Sequence, residues 1–242
     1  MFSMINNLLY VKKTKTINLS KMPKILCINF LRSILLNISK ERSVFYSEAD
    51  FQHTLGLHLS KDKNCDVRLE TPFEIPHFVK KLDKKLKVEL DIFLPKEKVG
   101  IELKYKTKVG TFEEHGETFK LKQHGAQNLA RFDFFDDIRR LQLLKKHKKI
   151  EKGYAVFLTN DPLYWEPIKR KNFSSNFSME DKRVIKPNTN LGWIGNPREG
   201  SVTRKRLSPN NPILIENNQQ LNWCQYSQIE KSIFKYLIVE IK

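Results

Sequence analysis

Residues 88–105 read VELDIFLPKEKVGIELKY and predict two antiparallel strands joined by a tight turn. Apolar and polar residues alternate on both sides of residues 95–98, which is the period of a half-buried strand. The turn pairs Leu94 with Val99. The residues expected to face inward are Val88, Leu90, Ile92 and Leu94 on the first strand, and Val99, Ile101, Leu103 and Tyr105 on the second.

This register brings two acids together. Asp91 falls opposite Glu102, with Cβ atoms about 4.5–5.5 Å apart, and a slip of one residue makes the pair diagonal. Two carboxylates so close are unfavourable unless one is protonated or a cation lies between them, and Mg²⁺ prefers carboxylate oxygens. Lys104 follows on the same face, where it can activate water and stabilise charge on a phosphate. The alternative interpretation is a solvated face with a surface ion pair between Glu89 and Lys104.

The remaining pattern predicts an α/β fold. Ser47 and Asp50 have the spacing of a capping box, so a helix should begin there and bury Phe51, Leu55 and Leu59. Periodicity and turn signals predict a helix over 47–59, a strand over 67–73, a lysine-rich solvated turn over 80–87, a helix over 126–148, and strands over 154–159 and 233–241. With the hairpin, residues 45–160 follow the order α-β-β-β-α-β, a mixed central sheet flanked by helices.

Charge indicates the partner. The chain carries 44 Lys and Arg against 27 Asp and Glu, a net charge of +17, which favours a polyanion such as nucleic acid. A lysine-rich background is the alternative explanation. Three scattered cysteines exclude a Cys-based zinc site and fit a reducing cytoplasm. The apolar run over 25–38 is interrupted by Arg32 and is too short to span a membrane.

Three regions are expected along the chain. Residues 1–42 form a basic N-terminal extension with a helix, and residues 43–162 form the catalytic core. Residues 163–242 are basic and partly irregular, and pack on the core. Trp193 beside the basic segment 198–206 suits either nucleic-acid contact or a packed loop.

Asp91, ten intervening residues and then Glu102-Leu103-Lys104 resemble the D-x(n)-(D/E)-x-K motif of the PD-(D/E)xK nucleases, the restriction endonuclease-like superfamily. The α-β-β-β-α-β order is similar to the core of that family. The resemblance implies phosphodiester hydrolysis with Mg²⁺, or Mn²⁺ in its place. It makes Asp91 and Glu102 metal ligands, with Lys104 beside the attacking water and Glu48 as a further ligand. Leu90 departs from the motif's proline.

The resemblance leaves the biological role open. A DNA endonuclease of restriction, phage defence or a mobile element is the first hypothesis, with DNA favoured over RNA as substrate and a homodimer as one arrangement. A non-catalytic nucleic-acid-binding module and an RNA-processing nuclease are the alternatives. Lys106 and Lys108 are candidate phosphate contacts, and Gln52 is a candidate residue of the cleft.

Two features of the helix over 126–148 concern the site. Gln127 is followed by Arg131 where some branches of the family have tyrosine. Asp133, Asp136 and Asp137 are expected on the polar face of the helix rather than at a metal.

Overall fold

The computed structural model describes residues 27–63, 65–79, 82–195 and 212–241. In these residues the helices are α1 (Ile28–Glu41), α2 (Glu48–Lys63) and α3 (Gln127–Lys146). The strands are β1 (Arg68–Val79), β2 (Leu82–Leu94), β3 (Val99–Lys106), β4 (Gly110–Glu114), β5 (Glu117–Leu121), β6 (Lys152–Thr159), β7 (Val184–Ile185), β8 (Thr189–Leu191), β9 (Ile213–Ile215), β10 (Gln219–Gln220), β11 (Trp223–Ile229) and β12 (Ser232–Ile241).

A six-stranded mixed sheet organises the molecule, in the order β1-β2-β3-β6-β12-β11. Only the β3–β6 pair is parallel; the other neighbours are antiparallel. Helix α3 connects β3 to β6, because parallel neighbours need a crossover connection. The predicted α/β class with a mixed sheet is confirmed, and the β4–β5 hairpin is an addition between β3 and α3.

Two apolar clusters cover the two faces of this sheet. The first contains the buried residues of α1 and α2 together with Val99, Ile101, Leu103 and Tyr105 of β3. The second contains the buried apolar residues of α3 together with Ile185, Trp223, Leu237 and Val239 from the strands after residue 183. Helix α2 begins as expected, since the Ser47 hydroxyl accepts a hydrogen bond from the Asp50 amide at 3.1 Å. Its residues Phe51, Leu55 and Leu59 are fully buried.

The central hairpin keeps the predicted register only near its turn. Leu94 pairs with Val99, as predicted, and the ladder ends at the Ile92–Ile101 pair. The expectation of one shared face along β2 is wrong. Ile92 and Leu94 pack with α1 and α2, whereas Val88 and Leu90 pack in the α3 cluster. An irregularity between Leu90 and Ile92 therefore reverses the sheet face to which the apolar side chains of β2 point.

The lysine-rich segment is another correction. Residues 82–87 belong to β2 and pair with β1, so the predicted turn over 80–87 is wrong for this part, and residues 80–81 lie outside the described residues. Pairing with β1 gives these residues backbone partners, which outweighs the low strand propensity of lysine.

The first helix and the last strand of the described residues both contribute to the core. Leu31, Ile34, Leu35 and Ile38 of α1 are fully buried against the sheet. The predicted strand over 233–241 is present as β12, which lies between β6 and β11.

No helix in the described part of the chain is both long and apolar enough to cross a membrane.

Candidate active site at the strand fork

Strands β2 and β3 separate at Asp91. Beyond the Ile92–Ile101 pair, β2 no longer offers a backbone acceptor to β3. The backbone N–H of Leu103 donates instead to the Asp91 carboxylate. A buried N–H needs an acceptor, so this hydrogen bond holds the Asp91 side chain in the gap. We call this opening between Asp91 and Leu103 the strand fork.

Glu48 lies in the same gap, one strand repeat further along β3. Its Oε2 accepts a hydrogen bond from the backbone N–H of Tyr105 at 2.7 Å and lies 3.4 Å from Lys106 Nζ. Residues two apart on a strand point their N–H groups the same way, so Leu103 and Tyr105 face the missing strand together. Two acidic side chains thus replace the backbone of β2.

Gln52 and Glu70 hold Asp91 from the other side. The β1–β2 ladder has no pair between Glu70 and Asp91, and Glu70 adopts a left-handed φ of 48°. Gln52 Nε2 donates to the Asp91 carbonyl at 2.6 Å and also to the Glu70 carboxylate. A left-handed non-glycine residue costs about 1–3 kcal/mol and persists where its surroundings enforce it. The register of the ladder is the same on both sides of this missing pair, and the break at Glu70 and Asp91 is the irregularity that reverses the faces of β2.

Glu102 is the most deeply buried acid of the fork. It is 1% exposed, and neither carboxylate oxygen has a hydrogen-bond partner among the described residues. Arg140 Nη2 lies 3.2 Å from Oε1. Burial raises the pKa of Glu102, and repulsion from Asp137 raises it further, against the attraction of Arg140.

Lys104 points to the same side of β3 as Glu102 and meets α3. Its Nζ lies 2.8 Å from Asp137 Oδ2 and donates to the carbonyl of Leu103 at 3.0 Å. Burial lowers the pKa of Lys104, but the attraction of Asp137 and Glu48 outweighs it, so the pKa is raised and the ammonium stays charged. Asp137 also accepts a hydrogen bond from Arg140.

The fork carries a surplus of negative charge in a basic chain. The acids, which we call the carboxylate cluster, are Glu48, Glu70, Asp91, Glu102 and Asp137. Three cations oppose them, and these are Lys104, Lys106 and Arg140. Burial raises the pKa of Asp91, which Lys104 counteracts, while Glu48 and Glu70 raise it further. Repulsion among these acids is relieved by protonation or by a bound cation.

The fit of a metal ion rests on two of these acids. No group of three or more His, Cys, Asp or Glu among the described residues is arranged to hold a metal. Mg²⁺, however, is usually held by one or two carboxylates together with waters and substrate phosphates. Glu102 offers two buried oxygens without hydrogen bonds, and Asp91 uses only Oδ2 toward Leu103. The donor chemistry of Asp91 and Glu102 therefore suits a hard cation such as Mg²⁺.

Comparison with protein-family models, with curated proteins and with solved structures finds no match.

The other predicted residues divide between the fork and the surface. Gln52 lies in the fork, and Lys106 pairs with Glu48. Lys108 is exposed, and its backbone N–H donates to Asn160 Oδ1 at 2.8 Å. The ring of Trp193 stacks on the ring of Phe173, with the ring centroids 5.4 Å apart. Residues 198–206 lie outside the described residues.

Asp137 is the main residue that the sequence prediction misplaced. It was expected on a polar face, but it is 2% exposed and contacts Lys104. A signal existed in the spacing, because Asp137 falls on the apolar stripe of α3. The stripe repeats every three or four residues at Ala130, Phe134, Asp137, Leu141 and Leu144, all of them buried. An acid on such a stripe indicates a buried partner.

Proposed function

We propose that this chain is a metal-dependent nuclease that hydrolyses phosphodiester bonds of DNA. The observation that carries the proposal is Glu102, an acid with both oxygens buried and without hydrogen bonds, beside Asp91 at the strand fork. An unsatisfied buried polar group costs about 1–3 kcal/mol, and more when charged. Such a group calls for an explanation, and a cation shared with a phosphate provides one.

The element order supports the proposal. Apart from the β4–β5 hairpin between β3 and α3, helix α2, strands β1, β2 and β3, helix α3 and strand β6 have the α-β-β-β-α-β order that the PD-(D/E)xK resemblance implies. The motif residues Asp91, Glu102 and Lys104 all lie on β2 and β3 near the fork. Fold and motif thus agree on one place in the molecule, although fold alone carries no function.

Each residue then has a role. Asp91 and Glu102 would hold Mg²⁺, or Mn²⁺ in its place, whereas Glu48, predicted as a further ligand, holds the Tyr105 N–H and pairs with Lys106. When bound, the metal would supply polarisation of the phosphate and a water that is nucleophilic near neutral pH. Lys104 holds a fixed positive charge toward the phosphate, and Asp137 positions its ammonium. Arg140 balances Glu102 while the carboxylate is ionised.

The test is cleavage of supercoiled plasmid, of single-stranded DNA and of RNA, with Mg²⁺, Mn²⁺ or EDTA. We expect wild-type protein to convert plasmid to nicked or linear forms only with metal. Asp91→Asn and Glu102→Gln should be inactive, and Glu89→Gln, on the exposed side of β2, should retain activity. Equal cleavage in EDTA, or full activity in Asp91→Asn, would refute the proposal.

A non-catalytic nucleic-acid-binding module is the second candidate function. The pairs Lys104–Asp137, Lys106–Glu48 and Arg140–Glu102 favour it, because they give all three cations of the fork a partner within the protein. The same assay separates the two: such a module binds DNA but cleaves none of the three substrates with either metal. Cleavage confined to RNA would instead identify an RNA-processing nuclease.

A further inference from the structure

A cleft of about 660 Å³ lies beside the N-terminus of α3, lined by none of the carboxylate cluster. One wall is the first turns of α3, and the other is the segment that follows β6. The polar residues of its lining that can attract an anion are Gln127, Asn128 and Arg131 from the helix and Lys169 and Arg170 from the segment. Glu166 is the sole acid of its lining. The size is typical of a site for a small ligand group.

Arg131 is the unusual member of this lining. It is 8% exposed, and its Nε is fully enclosed without a hydrogen-bond partner among the described residues. Its Nη2 donates to the carbonyl of Leu163, and its guanidinium carbon lies 5.7 Å from the ring centroid of Tyr164. Burial lowers the pKa of Arg131, and Tyr164 and the nearby Asp161 only partly compensate. None of the described carboxylates forms an ion pair with Arg131, because Asp161 accepts hydrogen bonds from Gln127 and from the Leu163 N–H instead.

The helix end adds a second source of positive potential. Helix α3 has 20 residues, its N-cap Ala126 has a left-handed φ of 58°, and no side chain caps it. Its first turn contains no acid. The free N–H groups of such a helix end and the macrodipole favour an anion. Gln127 and Asn128 of that turn line the same cleft as Arg131.

We propose that this cleft binds a phosphate group of a nucleic-acid strand. The positive charge of Arg131, which lines the cleft, and the helix N-terminus both favour phosphate oxygens. The exposed Lys169 and Arg170 extend the positive surface toward solvent. The choice of a nucleic-acid strand over a free phosphate rests on the proposed function.

The cleft is distinct from the reacting centre. Arg131 precedes Arg140 by nine residues on α3, which is about 13–14 Å along the axis at 1.5 Å per residue. A phosphate held there flanks the scissile bond by several nucleotides. The contact therefore increases affinity and sets the position of the strand without touching the carboxylate cluster.

Two variants test the site without metal. Arg131→Gln removes the buried charge, and the double variant Lys169→Gln/Arg170→Gln removes two exposed charges without disturbing the interior. The matched control is Lys146→Gln/Lys149→Gln, which removes two exposed charges at the other end of α3. Each is measured by fluorescence anisotropy with a labelled DNA oligonucleotide in EDTA, over a range of salt, and with inorganic phosphate as competitor. Circular dichroism checks that each variant is folded.

We expect Arg131→Gln and the Lys169/Arg170 variant to weaken oligonucleotide binding about 10-fold and to flatten the salt slope by about one or two phosphate contacts. The control should change affinity by about twofold at most. Equal losses in the control and the Lys169/Arg170 variant would overturn the site, because the effect would then be general charge. Unchanged binding in the folded Arg131→Gln variant would also overturn it.

The competitor separates the two sources of phosphate. Displacement of the oligonucleotide only at high phosphate concentration supports a strand contact, whereas tight phosphate binding with no variant effect on oligonucleotide affinity overturns it. The outcome is independent of cleavage. A protein that binds as expected but cleaves nothing with Mg²⁺ refutes the proposed nuclease and leaves the cleft assigned, and active cleavage with unaltered binding in the variants does the reverse.

Discussion

Glu102→Gln should stabilise the metal-free protein. The substitution keeps the shape of the side chain and removes a buried charge whose two oxygens have no hydrogen-bond partner among the described residues. Leaving such a group unsatisfied costs about 2 kcal/mol. For a domain of this size, each kcal/mol changes Tm by about 2–4 °C, so Tm should rise by about 4–8 °C in EDTA.

The gain should depend on pH with a defined sign. The pKa of Glu102 is raised on folding, so the folded state binds a proton more readily than the unfolded state. Between the ordinary value of about 4.3 and the raised value, stability falls as pH rises. Glu102→Gln removes this loss. The difference in Tm between variant and wild type should therefore be small near pH 5 and larger near pH 8.

Metal should reverse the order of stability. Mg²⁺ at about one hundred times its Kd stabilises the wild type by about 2.7 kcal/mol, which exceeds the lead of about 2 kcal/mol that Glu102→Gln has without metal, and it should leave Glu102→Gln nearly unchanged. The assay is calorimetry or thermal melting at both pH values, with EDTA or Mg²⁺. The exposed Glu89→Gln is the control, with an expected change within about 0.5 kcal/mol. A lower Tm for Glu102→Gln at both pH values, or no effect of Mg²⁺ on the wild type, would refute the reasoning.

Four other expectations follow from the same contacts. Lys104→Met should lower the cleavage rate about 100–1000-fold while calorimetry still detects Mg²⁺ binding; loss of Mg²⁺ binding would contradict the role of Lys104. Asp137→Asn should destabilise the protein by about 3 kcal/mol in urea unfolding, because Lys104 loses its buried partner; a neutral effect would show that the pair is dispensable. Ser47→Ala should cost about 1 kcal/mol through loss of the α2 cap, also by urea unfolding. DNA affinity should fall steeply between about 50 and 200 mM salt, and a flat response would mean that the charge of +17 is background.

Local patterns predicted the elements better than their long-range pairing. The alternation in β3 and the cap at Ser47 are properties of a few consecutive residues, and both are confirmed. The face reversal between Leu90 and Ile92 depends on Glu70, on a different strand, and on Gln52, on a helix. No spacing within β2 encodes these partners, so a prediction based on strict alternation of period two missed the reversal.

For the site as well, local patterns predicted which residues are involved but not their long-range partners. The motif identified Asp91, Glu102 and Lys104, which do lie on neighbouring strands, but the assumption of an unbroken ladder placed Glu89 opposite Lys104. Lys104 instead pairs with Asp137, which is 33 residues further along the chain. Glu102 was expected to face Asp91 across a ladder and meets Arg140 instead. Asp137 and Arg140 lie on the crossover helix α3, so their pairing with Lys104 and Glu102 can be predicted only once the position of that helix on the sheet is known.

The position of β12 has a consequence for synthesis of the chain. Strand β6 is buried along nearly its whole length and pairs with β3 on one side and with β12 on the other. Until residues 232–241 have left the ribosome, β6 is an apolar sheet edge with unsatisfied backbone groups, which is a template for aggregation. Nascent chains that stop after β6 should therefore engage chaperones, and release from them should coincide with emergence of β12.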